Sequence, residues 1–496
     1  MIVTLRTVLR DIGSLMLVVG GMTVIVAAIP LIFREWWAIP WILLTAFVYL
    51  LVGSFLKRIF RNSPDPKLGE AMVIAALGWL FVALIGAIPF LFMTEYGITR
   101  IGGHYYGMDF LSAFFESMSG WTGTGLTMTD IESTLPKTLQ FWRSSIQWIG
   151  GMGVIVLTLA ILARPGTGSF TLYHSEARDE KIRPSIISTL RVMWGIFIIY
   201  TLVGIALLWL AGMPLWDAVN HSMTALATGG FSVTDESIAS YDHPLIEAML
   251  LPLMIFGAIA FAAHYDLLRG RWKKFFSDVQ SQALFLIIGL GIVLLTLENL
   301  TCYETWFESL RHSSFQFISA LTCTGFQTTN VLEWGTNAKL LIIMAMILGG
   351  AAGSTAGGIK LFRGVLFTKG VFWKVRRAFV GNKAYMQYRI GNKTISRHDA
   401  QDQVSEAAVV SFLWVILLVV GVFVLRHLVP DSFGLQDVMF EVASAQGNVG
   451  LSTGITHIGM NPGAKLMLIF NMWIGRLEII PILVMIKAIF TKKGKY

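Results

Sequence analysis

Four short stretches of the chain carry residues suited to holding a bare cation: "ESMSGWTGTGL" (Glu116 to Leu126), "HSMTALATGGF" (His221 to Phe231), "QFISALTCTGF" (Gln316 to Phe326) and "EVASAQGNVGL" (Glu441 to Leu451). They align on Gly125, Gly230, Gly325 and Gly450. Six positions earlier stand Ser119, Thr224, Ser319 and Ser444, and five earlier Gly120, Ala225, Ala320 and Ala445; a bulky apolar residue always follows the glycine. Glycine tolerates positive φ, so successive carbonyls can point the same way. Four such strands about one axis offer rings of oxygen dipoles that replace the water shell of a hard monovalent cation. The carbonyls concerned are those of Thr122, Gly123, Thr124 and Gly125; Thr228, Gly229 and Gly230; Thr322, Cys323, Thr324 and Gly325; and Asn448, Val449 and Gly450. A single copy reads equally well as an interfacial turn, where Gly and Ser are common. Four copies in register favour the pore.

These strands need elements to hold them. The chain is 55% hydrophobic and 14% charged, with mean hydropathy +0.67, the composition of a membrane protein. Apolar runs of the length that crosses a hydrocarbon layer recur: Gly13 to Ile32, Trp37 to Leu56, Ala71 to Phe92, Val192 to Leu210, Ala283 to Leu297, Ala407 to Leu425 and Leu466 to Ile489. The first follows Arg6 and Arg10 but ends at Pro30 without a cleavage site, so it reads as a retained helix. Each glycine stretch lies between two spanning runs, too apolar for a loop and too short to cross. Unpaired backbone is tolerated at membrane depth only where protein buries it or it lines a water-filled path. The expectation is an all-α polytopic membrane protein: two leading transmembrane helices (1–66), then four pseudo-fourfold helix, pore loop, helix units around a central ion pore. Their bounds are 67–165, 166–275, 276–400 (with a broken second helix and intramembrane loop) and 401–496 with the tail. Ten crossings keep both termini on one side.

The net charge of +8 is segregated. Lys57, Arg58, Arg61 and Lys67 share one connection, Arg164, Arg178, Lys181 and Arg183 another, and Arg269, Arg271, Lys273 and Lys274 a third; 360–397 is rich in Lys and Arg, and Lys492, Lys493 and Lys495 close the tail. By the positive-inside rule these connections and both termini are cytoplasmic. The basic excess is thus a topology signal rather than a nucleic-acid surface. Residues 212–244 and 429–463 hold acidic residues and no Lys or Arg, an outer mouth that attracts cations. Cys302 and Cys323 form no disulfide framework or CxxC metal spacing, so no transition metal is expected. No HExxH motif, nucleophile elbow or paired acidic and His cluster suggests an enzyme.

"GGAAGSTAGGIK" (Gly349 to Lys360) interrupts a spanning helix. It is no phosphate loop, because Gly358 is followed by Ile359, Lys360 and Leu361 and a membrane helix precedes it. Small residues hold a straight helix poorly, so Gly349, Gly350, Gly353, Ser354, Thr355, Gly357 and Gly358 are expected to form a break beneath the pore that acts as a gate. Arg476, in "NMWIGRLEII" (Asn471 to Ile480), needs a cavity or a partner at membrane depth. It is either an interhelix pair or a charge in the inner cavity limiting cation flow. Glu116, His221, Gln316 and Glu441, nine before the glycines, are expected to anchor the short helices from behind. "RSSIQWIGGMG" (Arg143 to Gly153) is read as opening a helix, and His264 as interfacial.

The four filter glycines, "QWIGGMGVIVL" (Gln147 to Leu157), "ATGGFS" (Ala227 to Ser232), "GGAAGSTAGGIK" and "GRLE" (Gly475 to Glu478) together resemble the TrkH, TrkG and KtrB superfamily of potassium uptake proteins. The two leading helices look like the TrkH branch, whereas "FEVASAQGNVGLSTG" (Phe440 to Gly454) is similar to the KtrB fourth filter. The resemblance implies a potassium-selective pore with K+ as permeant ion and no bound cofactor. It also implies a homodimer in the inner (plasma) membrane, in contact with lipid and gated by a cytoplasmic nucleotide-binding subunit of the TrkA or KtrA kind. The gating loop is then Gly349 to Gly358, with Arg476 below the filter. In related plant HKT proteins serine at the first filter glycine accompanies sodium transport; Gly125 here favours potassium. Trp121, Gly123 and Cys323 depart from the family pattern. The alternative is a secondary transporter coupling K+ to Na+ or H+ by alternating access, for which Glu478 is the main candidate carboxylate.

Overall fold

A computed structural model describes residues 4–97, 108–153, 186–379, 386–391 and 393–490. The expectations resting on Val154 to Leu157, on Arg164, Arg178, Lys181 and Arg183, on the boundary at 165/166, and on Lys492, Lys493 and Lys495 lie outside these residues.

Six described helices are long and apolar enough to cross a membrane: Leu5–Phe33, Trp36–Ile59, Leu68–Met93, Ser188–Leu210, Val279–Glu298 and Arg397–Arg426. The two leading helices cross where Gly13 meets Gly53, each glycine seated on the other's carbonyl, so that any side chain there would drive the backbones apart. Four short helices follow, Phe110–Thr122, Leu215–Leu226, Trp306–Leu321 and Leu435–Gly447. Their starts are set locally. The Asp109 carboxylate caps Leu111 and Ser112, the Thr305 hydroxyl caps Glu308, Pro214 precedes the second, and Asp437 folds back onto the Gly434 amide. All four end in buried sequence.

Each short helix is followed by a further helix, Lys137–Met152, Pro244–Ala258, Thr336–Leu348 and Pro462–Arg476. "RSSIQWIGGMG" therefore closes the first of these helices, at Gly153, rather than opening one. One break was expected, and it is present: the third helix stops at Leu348 and resumes as Leu361–Phe379. The chain also bends by 113° between Pro244–Ala258 and Phe261–Leu268, and by 110° between Pro462–Arg476 and Ile480–Phe490. The run Leu466 to Ile489 is thus two helices, because Glu478 and Ile479 both take positive φ. Within the basic connection, Tyr388–Ile390 and Lys393–Ile395 pair as a small antiparallel hairpin.

Candidate functional site

The four aligned glycines come together in a closed ring. A Cβ built on Gly125 would strike the carbonyl oxygen of Gly229; one on Gly230, that of Thr324; one on Gly325, that of Val449; and one on Gly450, that of Thr124. Each strand is wedged against the next, and the fourth returns to the first. All four glycines have positive φ, 94°, 75°, 85° and 101°. Two residues earlier, Gly123, Thr228, Cys323 and Asn448 also sit in the left-handed region, at 69°, 51°, 57° and 54°. Only one of those is glycine. Thr228, β-branched, carries the largest steric penalty there, which its surroundings must hold in place.

The turn is the same four times. The amides of Thr124, Gly229, Thr324 and Val449 donate to the carbonyls of Ser119, Thr224, Ser319 and Ser444 at 2.8–2.9 Å, closing each short helix. Those same four residues then use their hydroxyls. Ser119 and Ser444 accept from the amides of Gly125 and Gly450 at 3.0 Å, and Thr224 and Ser319 donate to the carbonyls of Phe231 and Phe326 at 2.9 and 2.7 Å. A small hydroxyl six positions before the glycine is therefore a brace for the strand as well as a space saver.

The column nine before the glycines also does something different from what was expected. Glu116, Gln316 and Glu441 accept the amides of Met128, Thr328 and Thr453 at 2.7, 3.1 and 2.9 Å. His221 reaches Ser232 at 2.9 Å. They hold the chain leaving the ring, because burial leaves those amides no water. Arg143, itself buried, pairs with Glu116 at 2.9 Å, donates to the Ser232 carbonyl at 2.8 Å and lies 4.2 Å over the Phe231 ring. It thereby joins the first strand's support to the second strand. Above the ring a cavity of about 170 Å³ opens on all four glycines and is lined by Asp130, Glu132 and Asp235.

Below the ring, 349–360 is non-helical, with Gly349, Gly353 and Gly358 at positive φ. The loop runs against the ends of the short helices. The Gly358 amide donates to the Gly447 carbonyl at 3.1 Å, and Gly357 abuts the same oxygen. The Thr355 hydroxyl meets the carbonyls of Leu226 and Gly257 and the hydroxyl of Thr228 at 3.1, 2.8 and 3.1 Å. Gly350 packs on Ala258, and Ser354 donates to the Ala351 carbonyl at 2.6 Å. Arg476 donates to the Thr355 carbonyl at 3.1 Å, to Gly151 at 2.9 Å and to Gly150, and its guanidinium lies 5.3 Å from the Trp79 ring centre. Of the two readings of Arg476, the interhelix pair with other polar groups matches these contacts, since Gly150 and Gly151 belong to the helix Lys137–Met152, while Glu478 pairs with Arg363. His264 is buried between Tyr200 (3.3 Å) and the Phe256 carbonyl (2.9 Å), so it is a core residue and not an interfacial one.

Two features escaped the sequence reading. A second column of glycines comprises Gly150, Gly257 and Gly475, within the helices after the ring, and Gly349, which caps the end of the third. Side chains on Gly150, Gly257 and Gly475 would strike the carbonyls of Trp121, Leu226 and Gln446, near the ends of their own short helices; Gly349 faces Gly357 of the loop instead. Its members lie 24 to 27 residues after the ring glycines, so finding it in the sequence requires gaps in the alignment past the ring. The other is a set of ties between neighbouring repeats: Gln140 to Trp216 (2.8 Å), Glu247 to Arg311 (2.6 Å), Lys339 to Asp437 (2.9 Å), and Lys465 to Ser112 (2.7 Å). Their residue types differ from tie to tie, so no sequence column displays them.

A family model described as a cation transport protein, TrkH, matches residues 42–493. An uncharacterized cation transporter of Methanocaldococcus jannaschii is 32% identical over 485 residues, 98% of this chain and 96% of its own. The Trk system potassium uptake protein TrkH of Salmonella typhimurium is 32% identical over 503 residues, 98% of this chain and 99% of its own. The crystal structure of the potassium transporter TrkH from Vibrio parahaemolyticus matches with a TM-score of 0.82 at 27% identity, covering 99% of this chain and 100% of that one.

Proposed function

The chain belongs to the TrkH family of cation transport proteins, and from that premise we propose that it is the pore-forming subunit of a potassium uptake system. The observation that carries this reading is the closed ring of Gly125, Gly230, Gly325 and Gly450. Positive φ at two positions per strand lets main-chain oxygens face the axis, and carbonyl rings are ligands suited to a dehydrated alkali cation. The carbonyls of Thr124, Thr324 and Val449 accept no hydrogen bond among the described residues, which leaves them available to an ion. Asp130 and Asp235 in the cup above raise the local cation concentration.

In this reading 349–358 is the gate, latched shut by Thr355 and Arg476 beneath the ring. A cytoplasmic nucleotide-binding subunit of the TrkA or KtrA kind moves it, and the protein works as a homodimer in the inner membrane with both termini cytoplasmic. The units bounded at 67–165, 166–275, 276–400 and 401–496 are the four walls of the pore. A coupled transporter would rest on Glu478, which Arg363 already neutralises.

The test is reconstituted flux of potassium, rubidium and sodium with Gly125→Ser or Gly325→Ser. Each substitution is expected to collapse discrimination between potassium and sodium, because a Cβ at either position displaces the neighbouring strand's carbonyl. Unchanged ion ratios would remove the filter assignment.

A further inference from the structure

The ring has one strand built unlike the other three. Three residues before each glycine of the second column stand Gln147, Met254, Met346 and Met472, all buried. Three are apolar and nearly the same size as the fourth. Only Gln147 has hydrogen-bonding atoms, and it spends both on the second strand: its Nε2 donates to the Gly229 carbonyl at 2.6 Å, and its Oε1 accepts from the Phe231 amide at 3.0 Å. It therefore clasps Gly230 from both sides.

The second strand is altered to match. The position before the ring glycine holds Thr124, Thr324 and Val449 in the other strands and Gly229 in this one. A Cβ on Gly229 would lie 2.6 Å from the Gln147 amide carbon and oxygen, closer than such atoms approach. A side chain is absent from the strand where a polar side chain from the preceding repeat fills its space. The two departures from fourfold symmetry are one feature.

We infer that Gln147 is a positioning residue that sets ion discrimination by taking the Gly229 carbonyl as a hydrogen-bond acceptor, leaving three unengaged carbonyls and one restrained one at that level of the ring. A donated hydrogen bond occupies one lone pair and fixes the direction of the other. The fourth ligand is thus stiffer and weaker toward an ion than its three counterparts. Number and field strength of carbonyl ligands are what separate potassium from sodium in such a ring. The inference rests on the filter reading above and deepens it.

The experiment is potassium, rubidium and sodium flux of the full chain in liposomes for Gln147→Met, Gln147→Glu and Gly230→Ser, with melting temperature measured alongside. Gln147→Met installs the residue used by the other repeats. It is expected to lower the potassium-to-sodium ratio by about two- to tenfold, the factor that one hydrogen bond's net strength converts to. Gln147→Glu keeps the acceptor for Phe231 but loses the donor to Gly229, and should lower the ratio as well. If Gln147→Met reduces the flux of all three ions in proportion and leaves the ratio intact, Gln147 is scaffold only and the inference falls. Should Gln147→Met fail to fold, the double variant Gln147→Met with Gly229→Thr restores the pattern of the other strands, and an unaltered ratio there overturns the inference equally. A Gly230→Ser variant that keeps wild-type discrimination sinks the filter reading itself; loss of discrimination in Gly230→Ser but not in Gln147→Met sinks only the role of Gln147.

Discussion

At the scale of single residues, burial decides which polar groups serve structure and which remain responsive. Arg143 is committed to Glu116, Ser232 and Thr127. Glu132, in the cup above the ring, stands 3.9 Å from the same guanidinium but is almost fully buried. Desolvation there outweighs the attraction of Arg143 and pushes its carboxyl from 4.5 up to about 8. The folded protein therefore holds a proton that the unfolded chain releases near 4.5. Stability from this group is complete below that pH and is lost as pH rises through about 8. Melting curves between pH 6 and 9 should show this decline in the wild type, and Glu132→Gln should flatten it; parallel curves would refute the assignment. The hydroxyl braces and the column of Glu116, His221, Gln316 and Glu441 behind the strands were visible in the sequence as columns. Their partners were not, since a column records residue type and says nothing of which amide it faces.

At the scale of elements, the short helices were legible because their apolar length is wrong for both loop and span, and because glycine recurs at one register. The third helix's break was legible too, from its run of small residues. The bends after Ala258 and after Arg476 were hidden; Arg476 and Glu478 marked a polar spot in the second, but the break at Glu478 and Ile479 needs positive φ at two non-glycine residues, which composition does not signal. The structure ties the two fourth-repeat and third-repeat breaks together, Arg476 gripping the Thr355 carbonyl and Arg363 gripping Glu478. Arg476→Ala removes the hydrogen bonds that hold the loop to Gly150 and Gly151. Potassium flux in liposomes without any regulatory partner is expected to rise several-fold, with ion ratios unchanged, because the ring itself is untouched. Unaltered flux would show that the loop is not latched by this residue.

At the scale of the whole molecule, the ring stands because neighbouring repeats are tied in order. Lys339 to Asp437 joins the third repeat to the fourth, Lys465 to Ser112 the fourth to the first, and Glu247 to Arg311, with reversed charge, the second to the third. The sign reversal makes the ties non-interchangeable, which disfavours assembly of the repeats in the wrong order. Lys339→Asp leaves two carboxylates facing each other in a buried site and should destabilise the fold by about 3–5 kcal/mol. Adding Asp437→Lys is expected to recover part of that loss in thermal unfolding of the purified protein, since it restores the pair but gives up the bond from the Gly434 amide. No recovery in the double variant would mean the pair is incidental.

The sequence by itself determined the membrane class, the four-copy plan and the glycines of the ring, because hydropathy and the requirement for positive φ are properties of a residue and its immediate neighbours. Only the tertiary structure decided that the four strands close on one another, that Gln147 clasps the second of them, and that Arg476 is held by the carbonyls of Thr355, Gly150 and Gly151. Each of those depends on groups far apart in the chain meeting at hydrogen-bonding distance, and such meetings are fixed by how the helices pack.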